Sequence, residues 1–249
     1  MKKIGIVGGV AWRSTVDYYS GICRRSEEWH ASRAEQAAFS IPEISIESLD
    51  LNKAVSYVGR DGEEESWRQF DDYHHAALRR LEGSDADFAL MASNSPHHRF
   101  ANIVRGIAIP VINIFDEVAK ESARIGATEI LILGTPLTMK SPRLRDAFAK
   151  QGVEAAGPDN KAAEAITADL ITELQLGKVE GKAERLGNIA RVSFGHRDGM
   201  QPVVCLACTE LTLAFGEQKA LATFEYDGVL YINSTAVHID AAFEYALNG

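Results

Sequence analysis

The chain has 249 residues, of which 46% are hydrophobic and 24% charged, an ordinary composition for one large folded domain or two of modest size. Its formal net charge of −9 argues against nucleic acid as the main partner, because binding to a phosphate backbone calls for a basic surface. No apolar run approaches the ~20 residues that cross a membrane, so we expect no membrane partner, and three cysteines without a secretion signal predict reduced thiols in the cytoplasm.

The first half of the chain is predicted to alternate strands with helices, because short apolar runs are separated by stretches with helical periodicity. Its strands are predicted at 3–7, 41–51, 87–91 and 109–114, and its helices at 14–25, 63–82 and 116–124.

The second half repeats this order. Its strands are predicted at 127–135, 202–206 and 228–232, and its helices at 141–151, 162–175, 178–192 and 234–247. Each half has an early strand that ends in a glycine turn and a later strand that ends in a polar triplet, which indicates a duplication.

This pattern predicts the α/β class, with two similar doubly wound domains built on parallel sheets. The first domain is predicted to comprise residues 1–113 and the C-terminal helix at about 234–249, and the second residues 114–233.

Two polar triplets follow apolar strands at matching places in the two halves. Ser93-Asn94-Ser95 follows the strand at 87–91, and Cys208-Thr209-Glu210 follows the strand at 202–206. Ligands of α/β sheets bind beyond the carboxyl ends of such strands. If the triplets face each other, each presents a side chain to one side of a small substrate.

Cys208 is the strongest candidate for a nucleophile or an acid/base group, because a thiol pKa of about 8.5 lies closer to neutrality than that of a hydroxyl. A helix that starts beside the thiol is expected to lower this pKa and stabilise the thiolate. The alternative is a small buried apolar residue, as most free cysteines are. The adjoining Thr209-Glu210 and the matching triplet in the first half favour chemistry.

The spacing of Cys205 and Cys208 also matches a redox or zinc motif. Side chains alternate along a strand, so these two thiols should point to opposite faces. No second cysteine pair or nearby histidine completes a metal set. We therefore predict no metal and interpret Cys205, like Cys23, as a core residue.

The triplet Ser93-Asn94-Ser95 offers hydrogen-bond donors. It can be interpreted as a helix cap or as a binding site for a carboxylate at the start of a helix. His97 and His98 are expected to titrate near neutral pH, with at most one of them facing the site. His196 is interpreted as a surface residue in a loop.

The two glycine turns are the remaining candidates for ligand binding. Gly8-Gly9 lacks the spacing of a dinucleotide fingerprint, so we interpret it as a turn that lets the backbone approach a small ligand. In the second half, the turn at 134–138 offers threonine hydroxyls and backbone N–H groups to a carboxylate. Turn formation alone also explains both segments.

Together these segments resemble the cofactor-independent aspartate/glutamate racemase family. The matching residues run in the family's order along nearly the whole chain: Ile4-Gly5-Ile6-Val7-Gly8-Gly9 with Trp12, Ser14, Thr15 and Tyr18-Tyr19; Ser93-Asn94-Ser95 with His97; Gly134-Thr135-Pro136-Leu137-Thr138-Met139; Ala207-Cys208-Thr209-Glu210; and Ser234-Thr235-Ala236-Val237-His238.

The resemblance implies two similar α/β domains with the active site between them, a homodimer, no cofactor (no pyridoxal phosphate) and no metal. It also implies two thiols that flank the substrate's Cα, one removing the proton while the other protonates the opposite face. Cys208 matches one of these thiols, and Glu210 stands where some relatives carry histidine. The residues expected to hold the substrate are Gly9, Asn94, Ser95, Thr138, Thr209 and Glu210.

Ser93 departs from the family, which has Cys or in some members Thr at this position. A hydroxyl is a poorer acid and base than a thiol, so at least one direction of racemisation should slow. Val10-Ala11 and Arg13 also depart from the family and suggest a changed pocket, with Arg13 either pairing with a substrate carboxylate or lying on the surface.

Three functions remain open from the sequence. The favoured one is a racemase-like enzyme that acts at Cα of aspartate or glutamate, with Cys208 and Ser93 as catalytic residues and an altered or reduced activity. The second is a one-thiol relative, namely a decarboxylase, isomerase or lyase on a dicarboxylate. The third is a protein that binds an acidic amino acid without turning it over.

Overall fold

The computed structural model describes residues 1–33, 41–60, 62–195 and 201–248. The chain divides into unit 1, comprising Met1–Asn113 and Ile239–Gly249, and unit 2, comprising Ile114–His238. Each unit is an α/β fold around a sheet in which parallel strands dominate. No helix in the described ranges is long and apolar enough to cross a membrane.

Unit 1 contains a wholly parallel sheet with the strand order β2-β1-β3-β4. Its elements are β1 (Ile4–Gly8), α1 (Trp12–Ala31), β2 (Ile44–Ser48), α2 (Leu51–Ser56), a 3-10 helix (Glu64–Trp67), α3 (Arg68–Glu82), β3 (Phe88–Met91), a second 3-10 helix (Ser95–Arg99), α4 (Phe100–Ile103) and β4 (Val111–Ile112).

Strand β1 is covered by a helix on each of its two faces. Ile4 and Ile6 point to one face, where they pack with Tyr18 of α1 in an apolar cluster. Gly5 points to the other face, where a Cβ on this residue would lie 3.2 Å from Leu81 of α3. Because side chains alternate along a strand, a strand covered on both faces is apolar or small at every position.

Unit 2 contains a five-stranded sheet with the order β6-β5-β7-β9-β8, in which only β8 is antiparallel to its neighbour. Its elements are α5 (Ile114–Arg124), β5 (Glu129–Gly134), α6 (Pro136–Met139), α7 (Pro142–Lys150), β6 (Glu154–Ala156), α8 (Lys161–Gln175), α9 (Lys182–Phe194), β7 (Val203–Ala207), a 3-10 segment (Leu211–Ala220), β8 (Thr223–Tyr226), β9 (Val229–Asn233) and α10 (Ser234–Asn248), whose last part belongs to unit 1.

The two units share a strand order, since β2-β1-β3-β4 corresponds to β6-β5-β7-β9. The glycine turns follow β1 and β5, and the polar triplets follow their neighbours β3 and β7. In this topology the chain leaves β1 and β3 in opposite directions, which opens a crevice at their carboxyl ends. Each triplet therefore lies beside a glycine turn, as the duplication in the sequence predicts.

Several short elements were not predicted from the sequence. Helices α2 and α6 and strands β6 and β8 are too short for a clear period, and the predicted helix at 63–82 begins as a 3-10 helix before α3. The predicted parallel sheets are confirmed apart from β8, an antiparallel strand that the sequence did not predict and that forms a hairpin with β9. Its turn, Asp227-Gly228, has positive φ at both residues (51° and 75°), a common hairpin signal that the sequence prediction overlooked.

The C-terminal helix was expected to belong entirely to the first domain, whereas the division falls inside α10, between His238 and Ile239. The first turn of α10 is held by unit 2. Val237 packs in an apolar cluster of that unit, and the Ser234 hydroxyl donates a hydrogen bond of 2.7 Å to the carbonyl of Leu206.

Candidate active site

Just after β7, the side chains of Cys208 and Thr209 both contact one carboxylate oxygen of Glu210. The Cys208 thiol donates to Glu210 Oε2 at 3.1 Å, and the Thr209 hydroxyl donates to the same oxygen at 3.0 Å. Cys208 is 5% exposed and Glu210 8%. This arrangement places a proton donor and a proton acceptor in direct contact, away from bulk water.

The structure overturns the expectation that the Cys208 thiol has a lowered pKa. Burial raises the pKa of Cys208 well above its usual value, and the adjacent negative charge of Glu210 raises it further. The backbone N–H groups of Glu210 and Leu211 act in the opposite direction, but their effect is smaller. Cys208 is thus a protonated thiol at neutral pH, since desolvation disfavours its charged form.

The glycine turn after β5 lies beside Cys208 because β5 and β7 are neighbours. A Cβ on Gly134 would lie 2.7 Å from the carbonyl oxygen of Ala207, so the two strand ends approach closely only with glycine at this position. The Thr135 hydroxyl accepts from the backbone N–H of Thr138 and caps α6. The buried Thr138 hydroxyl lies 3.0 Å from that of Thr135. Turn formation therefore accounts for the hydroxyl of Thr135.

In unit 1, Gly9 has a φ of +87°, and its N–H donates to the Thr15 hydroxyl at 2.8 Å. A Cβ on Gly9 would lie 2.2 Å from the carbonyl oxygen of Leu49, so this position accepts only glycine. The backbone N–H of Ala92 bonds to the Val7 carbonyl and brings the residue before Ser93 alongside the end of β1.

The triplet of unit 1 leads into the 3-10 helix Ser95–Arg99. Ser93 and Ser95 are half-buried, and Asn94 is buried. The prediction of a helix start after this triplet is thus met by a short 3-10 helix.

His97 does not titrate near neutral pH, contrary to the sequence prediction. Its ring is fully buried and stacks on Phe100, with Nδ1 2.9 Å from Asn113 Oδ1 and Nε2 3.4 Å from the Met91 carbonyl. Burial lowers the pKa of His97 to about 4. The neighbouring His98 lies against the Trp67 ring, at a centroid distance of 5.5 Å.

Arg99 is a residue that the sequence reasoning missed. This buried guanidinium donates to Asp71 Oδ2 at 2.7 Å and pairs with Glu64. The two contacts fasten the 3-10 helix Ser95–Arg99 to α3 and to the 3-10 helix Glu64–Trp67 that precedes α3. Asp71 and Arg99 are far apart in the chain, so no local sequence pattern predicts their pairing.

Arg13, the arginine considered from the sequence, has a local contact. Its guanidinium lies over the Trp12 ring, 4.5 Å from the ring centroid.

The other two cysteines have different environments. Cys205 is fully buried in one apolar cluster of unit 2 and Cys208 belongs to the other, so the predicted opposite orientation and core position of Cys205 are confirmed. Cys23 was also expected in the core, but it is only half-buried because Ile22 and Ser26 form the inward face of α1. In the described ranges, His, Cys, Asp and Glu side chains form no group of three or more suited to a metal.

The predicted site residues thus form two groups, one in each unit. Gly9, Ser93, Asn94 and Ser95 lie at the ends of β1 and β3, and Thr138, Cys208, Thr209 and Glu210 lie at the ends of β5 and β7. His196 lies outside the described residues.

A family model described as Asp/Glu/hydantoin racemase matches residues 7–242. An aspartate racemase homologue from Pyrococcus horikoshii OT3 is similar with 27% identity and a TM-score of 0.74, over 100% of both chains. A Yersinia pestis protein provisionally named an Asp/Glu racemase has 24% identity and a TM-score of 0.79, also over 100% of both chains. An aspartate racemase from Picrophilus torridus has 19% identity and a TM-score of 0.70, over 99% of this chain and 94% of that one.

Proposed function

Since this chain belongs to the Asp/Glu/hydantoin racemase family, we propose that it is a cofactor-independent racemase-like enzyme that moves the Cα proton of a small acidic amino acid, aspartate or glutamate. The observation that carries this proposal is the buried contact of 3.1 Å between the Cys208 thiol and the Glu210 carboxylate. A thiol that is to exchange a proton with carbon needs a partner that takes or returns its own proton.

In this mechanism Cys208 is the acid/base group and Glu210 is its proton partner. When Cys208 begins the cycle as a protonated thiol, it donates its proton to Cα of the substrate from one face. To abstract a proton it first transfers its own to Glu210, which the short contact permits. The Thr209 hydroxyl holds the carboxylate in place through its hydrogen bond of 3.0 Å.

Ser93 serves the opposite face of the substrate in this proposal. It follows β3, the strand of unit 1 that corresponds to β7, and it is accessible to water because it is only half-buried. A serine hydroxyl ionises far less readily than a thiol, so we expect Ser93 to relay a proton between water and Cα. For each turnover, one proton leaves Cα toward one face and one arrives at the other, so the balance closes through solvent.

The remaining predicted residues hold the substrate. Gly9, Asn94 and Ser95 of unit 1 and Thr138 and Thr209 of unit 2 are proposed to bind its carboxylate and amine groups. Their positions at the carboxyl ends of adjacent parallel strands support this role, because ligands of α/β folds bind there.

Proton NMR in deuterated buffer tests the proposal. L- and D-aspartate and L- and D-glutamate are incubated separately with the protein, and the Cα–H signal is followed. We expect this signal to disappear from at least one enantiomer with the native chain and to persist with Cys208→Ala. The matched control is Cys205→Ala, which should retain the exchange. Cys205 is a buried thiol of β7 that lies in the other apolar cluster of unit 2.

The other outcomes of this experiment separate the remaining functions. Release of carbon dioxide or ammonia together with a new product would show that the protein is a one-thiol decarboxylase or lyase and not a racemase. Saturable binding of an acidic amino acid without any exchange of Cα–H would show that it is a binding protein.

The proposal includes the cytoplasm as the compartment and a homodimer as the assembly. The three cysteines are free thiols, which suits a reducing compartment. Light scattering in solution tests the homodimer, and a mass of one chain, 27.2 kDa, would contradict it.

A further inference from the structure

Asn233 and Ser234 lie at the junction of β9 and α10, and β9 is the neighbour of β7, the strand that ends directly before Cys208. Both side chains are fully buried, and Asn233 pairs in register with Leu206 of β7. We propose that Asn233 and Ser234 are positioning residues that hold the Cys208–Glu210 pair in its contact geometry. This inference rests on the proposed function for its effect on turnover.

Asn233 uses both ends of its side-chain amide. Its Nδ2 donates to the carbonyl of Lys219 at 2.7 Å, at the far end of the 3-10 segment Leu211–Ala220. Its Oδ1 accepts from the backbone N–H groups of Thr235 at 3.0 Å and Ala236 at 3.3 Å, which caps α10. One side chain therefore ties the end of this segment to the start of a helix.

The tethered segment begins directly at the candidate site. The Leu211 N–H donates to the Cys208 carbonyl at 3.1 Å, and the Thr212 hydroxyl donates to the Thr209 carbonyl at 2.7 Å. Gly216 interrupts the segment with a φ of 55°, so its regular structure alone does not fix where its far end lies. Two contacts of Asn233 supply that constraint: its side-chain amide donates to the Lys219 carbonyl, and its backbone N–H donates to the Ala222 carbonyl at 2.8 Å. Only the first depends on the side chain.

Ser234 acts on the other side of the triplet. Its hydroxyl donates to the carbonyl of Leu206, two residues before Cys208, at 2.7 Å. Asn233 thus fixes the chain after the triplet and Ser234 fixes the chain before it. Together they define where the thiol and the carboxylate stand.

Precise placement matters here because proton transfer depends steeply on distance. A misplacement of about 1 Å can cost on the order of 100-fold in rate. The pair is also sensitive to solvent, since burial and the neighbouring charge hold Cys208 in its protonated form.

The decisive variant is Asn233→Asp. The carboxylate keeps the oxygen that caps α10, at a helix N-terminus that favours negative charge, but it loses the N–H donor to Lys219. We expect kcat for Cα–H exchange to fall on the order of 10- to 100-fold, with KM changed less than about threefold. The matched control is Asn160→Asp, which changes the exposed cap of α8 in the same unit and should leave kcat unchanged.

A second measurement separates this inference from the proposed function, because it needs no turnover. The pH dependence of Cys208 alkylation by iodoacetamide is read at the peptide level by mass spectrometry, with Cys205 as the internal reference. If the tether positions the pair, Asn233→Asp should loosen the site and raise alkylation of Cys208 at pH 7 by roughly threefold or more. An unchanged profile would overturn the inference, even for a protein without racemase activity.

Ser234→Ala keeps the inference testable if Asn233→Asp does not fold. This variant removes a single hydroxyl and should change kcat and Cys208 alkylation in the same directions by smaller factors. If both quantities match the native protein, these side chains do not position the pair. If the native chain exchanges no Cα–H while both variants raise alkylation, the proposed function fails and the positioning role stands.

Discussion

The Cys208 thiol lies 3.1 Å from Glu210 Oε2, with both side chains shielded from water. This relationship gives the candidate site its character. Burial raises the pKa of the Cys208 thiol, the Glu210 carboxylate raises it further, and the same carboxylate is the group that can take the thiol proton. A thiol alone would have to form a new negative charge in the apolar interior, whereas transfer of its proton to Glu210 leaves the net charge of the pair unchanged.

Glu210→Gln keeps the size of the side chain but removes its charge and its capacity to take a proton. We expect Cα–H exchange to fall on the order of 100-fold or more, because a general base typically contributes that much. The control is Glu217→Gln, at an exposed position on the 3-10 segment that follows, and it should leave the exchange rate unchanged. Proton NMR measures the rate of Cα–H exchange for each variant. Equal rates for Glu210→Gln and the native protein would remove Glu210 from the mechanism.

Ser93→Cys restores an ionisable group at the position where the family carries a thiol. Because a thiol is the better acid and base at neutral pH, interconversion of the two enantiomers should become faster in both directions. Chiral chromatography of the products measures both rates. Ser93→Ala is the matched variant and should slow the exchange; a Ser93→Cys protein no faster than native would argue against this residue as the second acid/base.

His97 makes unit 1 sensitive to acid. Its pKa is about 4 in the folded protein against 6.5 for an unperturbed histidine, so the unfolded chain binds its proton first. Stability is therefore complete above pH 6.5 and falls as the pH drops toward 4, by about 3 kcal/mol in total. Urea unfolding at a series of pH values measures this loss, which should be smaller in His97→Gln.

His74 is the second contributor to this acid sensitivity. It is fully buried and its pKa is also lowered by burial, so its effect on stability has the same sign as that of His97. A free energy of unfolding that stays constant from pH 7 to pH 4.5 would contradict the burial of both imidazoles.

Arg99→Ala should destabilise the protein strongly. The substitution removes the cationic partner of the largely buried carboxylate of Asp71, which keeps its hydrogen bond from Asn102 at 3.1 Å. Breaking a buried ion pair in this way typically costs about 3–5 kcal/mol. Arg60→Ala is the control, since it breaks an exposed pair with Glu63 that is worth about 1 kcal/mol or less. Chemical denaturation compares the two, and similar losses would mean that Arg99 is not buried as described.

Gly9→Ala and Gly106→Ala separate backbone strain from steric conflict. Both glycines have positive φ, so both substitutions carry a conformational cost of about 1–2 kcal/mol. Only at Gly9 would the added methyl meet backbone atoms of Leu49, whereas nothing lies within 4 Å at Gly106. Gly9→Ala should therefore be clearly the less stable variant in thermal unfolding, and it should also impair exchange because its turn lies beside Ser93.

The sequence determined the order of the main strands and helices and the placement of both triplets. Apolar periodicity is a local property, so the runs before Ser93 and Cys208 could be recognised as buried strands without knowledge of their neighbours. The equivalence of β3 and β7 followed from the repeated order of elements. The alternation of side chains along β7 also sufficed to separate Cys205 from Cys208.

Only the tertiary structure decided the electrostatics of the site. The raised pKa of Cys208 and the lowered pKa of His97 come from burial among residues that are distant in the chain, and no local pattern encodes that burial. The pairing of Arg99 with Asp71 and the tether from Asn233 to Lys219 likewise join separate elements. A pKa depends on water and on charges within a few ångströms, so it is set only when the chain has folded.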